Sequence, residues 1–373
     1  MNQPVIQRRP SRAVRVGTVI IGGSAAVSVQ GMTKTPTADV ESTAAQVQAL
    51  AAAGADLVRL AVPSRQDTAA LRRIIPRSPV PIVADVHFHY DRALEAIDAG
   101  AVKIRLNPAN ISDDRQVRRV IAAAADAGAA IRVGVNEGSV VERADTARRQ
   151  ADSSRPLDEL MVDKLAEYLE VFHQERFENL VLSAKSHDAF TTIAAYRRIA
   201  QRWNYPLHLG VTHSGTPRSG AIRSAAALGA LLSEGIGDTI RVSYAGDPLR
   251  EVAAGVDLLC SLRLRARTGP ELIACPTCGR ARMDVVRLAE EIDAALAGLA
   301  APITIAVMGC AVNGPGEAAN ADVAICAGDG KAVLYRNGQV LRSVEASRIV
   351  QAVVAEARIA AQERLSSTFA NFL

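Results

Sequence analysis

The sequence predicts an α/β fold, a TIM-type (β/α)8 barrel over residues 1–265 followed by a smaller α+β domain over 266–373. Three observations carry that expectation. Eight short β-branched runs alternate with Ala/Leu/Arg stretches of helical period up to about residue 263. The length of 373 residues suits two domains better than one. At GPELIACPTCGRARMD the pattern changes, and a C-x2-C opens a region of mixed helices and strands.

The expected barrel strands are VSVQ (27–30), LVRLAV (57–62), PIVADV (81–86), VKIRLN (102–107), IRVGVN (131–136), LVLSAK (180–185), LHLGVT (207–212) and TIRVSY (239–244). Helical stretches such as 40–54, 114–128 and 219–235 follow them and end on Gly, where a left-handed cap is easiest. An open doubly wound sheet is the alternative, but no GxGxxG follows the first strand. Past residue 265 the pattern predicts a helix over 284–298, a strand over 303–308, three short strands near 322–326, 331–335 and 339–343, and a closing helix over 345–363.

Composition narrows the function. Hydrophobic residues make up 49% and charged residues 22%, as in a soluble globular chain. A net charge of +4 is small and dispersed, and 3% aromatics leave few stacking platforms, so no nucleic-acid partner is expected. The apolar run TVIIGG is far shorter than the roughly 20 residues that span a bilayer. The expectation is a cytoplasmic protein without a membrane partner. Five cysteines without a secretion signal argue against a disulfide framework and turn attention to metal or redox chemistry.

Side chains at i and i+2 of a strand share a face. One face of these strands is polar: Arg59; Asp85 and His87; Lys103, Arg105 and Asn107; Arg132 and Asn136; Ser183 and Lys185; His208 and Thr212; Arg241 and Ser243. Charges this deep in a barrel are costly unless they meet each other or a ligand. Some, Lys103 and Asp85 among them, are candidates for structural ion pairs. Arg59, Arg105, Arg132, Lys185 and Arg241 nonetheless bring five cations from five strands with few carboxylates on the same face, which suits a phosphate or diphosphate. Barrel enzymes hold such ligands at the C-terminal ends of their strands.

Cys275 and Cys278 form the C-x2-C, and Cys310 follows in VMGCAVNGPGE, while Cys260 and Cys326 stand alone as small hydrophobes. Three readings compete. Structural zinc wants four tetrahedral ligands, and no His occurs after residue 213. A dithiol redox pair leaves Cys310 unexplained. An iron–sulfur cluster with three thiolates and a noncysteine fourth ligand uses all three, with Glu317 as a plausible oxygen donor. Glu317 as a turn cap is the plainer alternative.

The motifs VSVQGMT, DLVRLAVP, PIVADVHF, KIRLNPAN, IRVGVNEGS, PLHLGV, GIGDTIRVS, CPTCGR and VMGCAVNGPGEA extend over nearly the whole chain. With them the chain resembles the 4-hydroxy-3-methylbut-2-enyl diphosphate synthase family, iron–sulfur enzymes of the methylerythritol phosphate route to isoprenoids. The resemblance implies a barrel joined to a [4Fe–4S] domain, without the inserted third domain of plant members. It implies cluster ligands at Cys275, Cys278, Cys310 and Glu317, and a homodimer in which the cluster domain of one subunit caps the barrel of the other. The implied substrate is 2-C-methyl-D-erythritol 2,4-cyclodiphosphate, contacted by Arg59, Arg105, Arg132, Lys185 and Arg241, with Asn107, Asn136, His208, Thr212, Ser243 and Asn313 nearby. Asp85 and His87 join this set from the polar strand face. The implied reaction is a two-electron reductive ring opening with loss of water, giving (E)-4-hydroxy-3-methylbut-2-enyl diphosphate, with ferredoxin or flavodoxin as donor.

The chain departs from the family where members read GVTEAG and it reads GVTHSG. His213 stands at the place of a glutamate that is a candidate acid. An imidazole with an ordinary pKa of about 6.5 can serve as an acid but lacks a carboxylate's acceptor geometry. Gly31, Arg250 and Tyr244 are smaller departures. Two other readings follow: a diverged [4Fe–4S] reductase acting on another phosphorylated substrate in secondary metabolism, and a noncatalytic sensor of a diphosphate and a cluster. Turnover of the cyclodiphosphate separates the first reading from both.

Overall fold

The β-branched runs of the first 265 residues pair side by side. The structure, a computed structural model, describes residues 6–86, 89–106, 113–140, 155–312, 314–328 and 330–370. The chain divides into two compact units, Met1–Arg265 and Ala266–Leu373.

The first unit begins with an antiparallel hairpin of β1 (Val14–Val16) and β2 (Val19–Ile21). The barrel strands follow as β3 (Ser28–Met32), β4 (Leu57–Ala61), β5 (Ile82–Asp85), β6 (Lys103–Leu106), β7 (Ala130–Asn136), β8 (Leu180–Lys185), β9 (His208–Leu209) and β10 (Thr239–Ile240). All are parallel, in the order β8-β7-β6-β5-β4-β3-β10-β9, and a bridge between Leu182 and Leu207 brings the two ends together. The fold is therefore the expected barrel. β9 and β10 are shorter than the runs 207–212 and 239–244, because the backbone past them continues through single bonds: Arg241 N–H donates to Leu209 O at 3.0 Å and Thr212 N–H to Ser186 O at 3.0 Å.

Among the described residues eight helices cover the barrel: α1 (Val40–Ala52), α2 (Arg65–Ile74), α3 (Tyr90–Asp98), α4 (Asp114–Asp126), α5 (Leu157–Gln174), α6 (Ala189–Arg202), α7 (Pro217–Ser233) and α8 (Pro248–Ser261). Carboxylates of Asp39, Asp113, Asp188 and Asp247 accept backbone N–H groups at the starts of α1, α4, α6 and α8. Gly54, Gly128 and Gly235 follow α1, α4 and α7 at φ of +102°, +64° and +77°, as the sequence suggested. Outward strand residues such as Val58, Leu60, Ile104, Ile131 and Leu182 are fully buried under the helices' Leu50, Leu71, Val120, Leu165 and Phe172. Each such side chain contributes about 1.5–3 kcal/mol.

The β1–β2 hairpin gives the barrel its polarity. Val14, Val16 and Ile21 pack on Leu57, Val83, Ala130 and Val181, near the N-terminal ends of their strands. An apolar plug thus closes that end, and the polar face lies toward the other. The TVIIGG run supplies strand β2.

In the second unit, β11 (Glu271–Ala274), β12 (Thr304–Met308) and β13 (Val323–Ala327) are parallel neighbours, and β14 (Ala332–Arg336) and β15 (Gln339–Val344) continue the sheet antiparallel. Helices α9 (Val285–Ala295), α10 (Gly314–Glu317) and α11 (Ile349–Ala370) accompany it. Leu288 and Ile292 of α9 and Val353 and Ala357 of α11 share a core with Ile305, Val307 and Ile325. The sequence pattern does not anticipate β11, an edge strand that is largely exposed and shows no alternation. Among the described residues no helix is long and apolar enough to cross a membrane.

Candidate functional site

The pleat delivers the cations into the barrel. Register pairs Asp85 with Arg105, Arg105 with Arg132, and Asn136 with Lys185 across β5 to β8. Arg59, Lys103, Arg105, Arg132 and Lys185 are all buried, and His208 is wholly so. Two carboxylates answer part of this charge. Asp85 stands 3.5 Å from Arg59 Nε and 3.4 Å from Arg105 Nη1. Glu251 of α8 stands 3.4 Å from Arg241 Nη2 and 2.9 Å from Lys34 Nζ, and accepts the Tyr244 N–H at 3.0 Å. Arg59 also turns Nη2 to Met32 Sδ at 2.9 Å. The polar face is thus less one-sided than the sequence suggested, because Glu251 arrives from a helix.

Asp85 is an ion-pair member as anticipated; Lys103 is not. Its ammonium is completely enclosed with no hydrogen-bond partner among the described residues, and the same holds for both ring nitrogens of His208 and for Nε and Nη1 of Arg132. A buried donor left unpaired costs about 1–3 kcal/mol, more when charged. The electrostatics follow. Burial, reinforced by Arg132 and Arg59, holds the Lys103 ammonium well below the usual lysine range. Burial and the surrounding arginines do the same to Lys185, and burial with Lys185, Arg132 and Lys103 pushes His208 well below the usual histidine value. Burial and neighbouring Arg59 bring Arg241 down to about 10, against the opposing pull of Glu251 and Asp85. The chamber is short of negative charge, and an anion entering it meets donors with no other partner.

Two glycines make room. A Cβ on Gly210 would lie 2.8 Å from Lys185 Nζ and 3.0 Å from Arg241 O, and one on Gly134 would lie 2.3 Å from Ser183 Oγ. Sequence reading missed Gly210 and Glu251. A glycine inside a strand was the available signal for the first; Glu251 had none, since its role depends on where α8 packs.

At the rim, Ser243 Oγ donates to Val211 O at 3.0 Å, and Thr212 and Asn136 are half-buried. His213 is exposed and sits at φ +49°, a left-handed conformation uncommon outside glycine. The loop is pinned on both sides: Ser214 Oγ donates to Ser243 O, Arg223 Nη1 to Ser214 O at 3.1 Å, and Ala245 N–H to Gly215 O at 2.9 Å. Three predicted site residues, His87, Asn107 and Asn313, lie outside the described residues, as does the side chain of Glu317, whose backbone ends α10.

In the second unit, Cys275, Cys278 and Cys310 line one open pocket with Pro276, Thr277, Arg280, Ala281 and Gly309. No disulfide joins any of the five cysteines. Cys275 leaves the end of β11, its N–H bonded to Val307 O at 3.1 Å, and its Sγ accepts the Gly309 N–H at 3.1 Å. A Cβ on Gly309 would stand 3.2 Å from that sulfur. Backbone and side-chain donors of Arg280 push the Cys278 thiol down toward thiolate. Among the described residues no group of three His, Cys, Asp or Glu is arranged to hold a single metal ion. Three thiols on one pocket, one already accepting a backbone hydrogen bond and one biased to thiolate, fit an iron–sulfur cofactor in donor chemistry.

Family comparison agrees with this geometry. The GcpE TIM-barrel domain matches residues 11–256, and the GcpE protein C-terminal domain matches residues 271–359. The chain is similar to the 4-hydroxy-3-methylbut-2-en-1-yl diphosphate synthase (flavodoxin) of Salinispora tropica, 45% identical over 96% of this chain and 91% of that protein. It is 44% identical to the protein of that name from Geobacter sulfurreducens, over 93% of this chain and 96% of the relative. The synthase numbered 1 from Streptomyces coelicolor is 43% identical over 96% and 93%. The chain belongs to the GcpE family.

Proposed function

We propose that this chain catalyses the reaction named for its relatives, the reductive ring opening and dehydration of 2-C-methyl-D-erythritol 2,4-cyclodiphosphate to (E)-4-hydroxy-3-methylbut-2-enyl diphosphate, as an iron–sulfur oxidoreductase using flavodoxin. The observation that carries the reading is the buried array of Arg59, Lys103, Arg105, Arg132, Lys185 and His208, in which Lys103 Nζ, both ring nitrogens of His208 and Nε and Nη1 of Arg132 have no hydrogen-bond partner among the described residues and suit a polyanion. Arg59, Arg105, Arg132, Lys185 and Arg241 bind the diphosphate, and their positive field stabilises the charge that develops on the phosphate oxygen as the ring opens. Asp85 and Glu251 hold Arg59, Arg105 and Arg241 in place for that contact. Thr212, Ser243 and Asn136 border the substrate at the rim, and His213 presents its ring there from a pinned loop.

Residues 1–265 form the substrate-binding domain and 266–373 the cluster domain in this reading. Cys275, Cys278, Cys310 and Glu317 hold a [4Fe–4S] cluster, which when bound supplies electrons one at a time. Around it the chain's own contribution is the Gly309 N–H on Cys275 Sγ and the Arg280 donors at Cys278, which stabilise negative charge on sulfur. The protein works in the cytoplasm as a homodimer. The test is anaerobic reconstitution with iron and sulfide, followed by reduced flavodoxin and the cyclodiphosphate. Formation of hydroxymethylbutenyl diphosphate is expected; an intact cluster without turnover overturns the proposal in favour of a diverged reductase or a sensor.

A further inference from the structure

Glu137 and His187 form a second polar constellation at the C-terminal rim, one that the diphosphate contacts do not use. β7 and β8 end in register, Asn136 opposite Lys185, and the chain then places Glu137 on a 3-10 turn and His187 two residues past Lys185. Glu137 Oε2 is the focus of three contacts: Ser186 Oγ at 2.8 Å, His187 N–H at 3.4 Å and His187 Nδ1 at 2.8 Å. Ser186 is itself fixed, its N–H on Thr192 Oγ1 at 3.3 Å and its Oγ accepting the Asp188 N–H at 3.1 Å. A carboxylate at Nδ1 sets the imidazole's orientation and leaves Nε2 as the reactive nitrogen. The imidazole is 59% exposed, so Nε2 is accessible. His213, by contrast, has no partner for its ring among the hydrogen bonds and ion pairs of the described residues. Ser186 O accepts the Thr212 N–H at 3.0 Å, which ties the loop carrying Glu137's partner to the loop carrying His213.

We propose that His187, oriented by Glu137, is the proton donor for loss of water from the substrate. This rests on the function proposed above. In that reaction one C–O bond breaks with its electron pair going to the phosphate oxygen, and a second breaks with its pair going to the hydroxyl oxygen. Two electrons from reduced flavodoxin form the carbon–carbon double bond between them. The departing hydroxyl takes one proton from His187 Nε2 and leaves as water, and solvent reprotonates the imidazole. Among the described residues the charged groups facing the ring are Glu137 from the turn after β7 and Asp188 at the head of α6, whose carboxylate also accepts the Thr191 N–H at 2.7 Å.

The test compares His187→Gln, Glu137→Gln and His213→Gln in the reconstituted full chain, following kcat and KM from pH 6 to 9. Removing a general acid lowers kcat by about 10²–10⁴-fold. His187→Gln is expected to show such a loss with KM little changed and the alkaline fall of kcat abolished. Glu137→Gln is expected to lower kcat with KM little changed, because an amide no longer fixes the ring through Nδ1 as the carboxylate does, and Glu137→Asp to recover part of that loss; a merely structural role would not show this split. His213→Gln should keep the alkaline fall. Unchanged kcat and pH profiles in the His187 and Glu137 variants, or a change in KM alone, would overturn the proposal. A second measurement separates it from the parent reading: in cluster-free wild type, the Cε1 resonance of His187 is followed by NMR as the cyclodiphosphate is added. A change in that resonance on binding supports His187 at the substrate even if turnover fails, and a resonance indifferent to bound ligand refutes it even if turnover succeeds.

Discussion

Replacing Lys103 with Met keeps the length and volume of the side chain while removing an ammonium that is completely enclosed and without a hydrogen-bond partner. Exchanging a buried charge for a well-packed apolar group is typically neutral or stabilising by about 1–4 kcal/mol. The upper half of that range applies here, because Arg132 and Arg59 repel the ammonium and Asp85 is taken up by Arg59 and Arg105. The gain depends on pH. The folded lysine binds its proton more weakly than the unfolded one, so the penalty in wild type is full at low pH and disappears as pH rises through the unfolded value of about 10.4. Lys103→Met should therefore raise the urea midpoint of the barrel at pH 7 and show a smaller advantage at pH 10. Pyrophosphate should reverse the order. At a hundred times Kd a ligand adds about 2.7 kcal/mol to wild type, and the variant should gain distinctly less. A variant less stable than wild type at pH 7, or equally stabilised by pyrophosphate, would refute the idea that the chamber is built for an anion.

Gly210→Ala introduces a Cβ 2.8 Å from Lys185 Nζ, so the ammonium must move; pyrophosphate binding measured by calorimetry should weaken about tenfold, the equivalent of 1.4 kcal/mol, while the far-ultraviolet dichroism stays unchanged. His213→Gly relieves a left-handed backbone at φ +49° and should leave the melting temperature equal or raised by the equivalent of about 1 kcal/mol, so a clear destabilisation would show that the loop is not strained. Below about pH 6.5 the unfolded state takes a proton on His208 that the buried ring resists, so wild-type stability should fall with acidity and His208→Gln should flatten the slope between pH 7 and 5. Cys310→Ser should lower iron and sulfide content after reconstitution without changing the barrel's pyrophosphate affinity; retained iron at the wild-type ratio would remove Cys310 from the cofactor site.

Much of this architecture is legible in the residues themselves. β4 through β8 follow directly from β-branched runs, since alternation within a strand is a local property, and the convergence of Arg59, Arg105, Arg132 and Lys185 follows from their parity. CPTCGR and VMGCAVNGPGEA place Cys275, Cys278 and Cys310 in one pocket because both segments leave neighbouring strands, β11 and β12, at the same end. What escaped depends on contacts distant in sequence. The hairpin of Val14–Ile21 reads as an isolated apolar run until Val83 and Val181 are beside it. Glu251 meets Arg241 only because α8 packs against β3, the neighbour of β10. His213 stands out in the sequence because it replaces a glutamate of the family the chain resembles, while the carboxylate on the His187 imidazole comes from Glu137, 50 residues away, and no local pattern singles that pair out.

The central claim is that the enclosed nitrogens of Lys103, Lys185 and His208, whose proton affinity burial lowers, are arranged to receive an anion. Calorimetric titration of the cluster-free protein with 2-C-methyl-D-erythritol 2,4-cyclodiphosphate at pH 8, repeated in buffers of different ionisation enthalpy, tests it directly. An anion among Lys103, Lys185 and His208 must raise their lowered proton affinities, so one ligand per chain should bind with net uptake of protons. Binding without proton uptake, or no binding at all, would contradict the account.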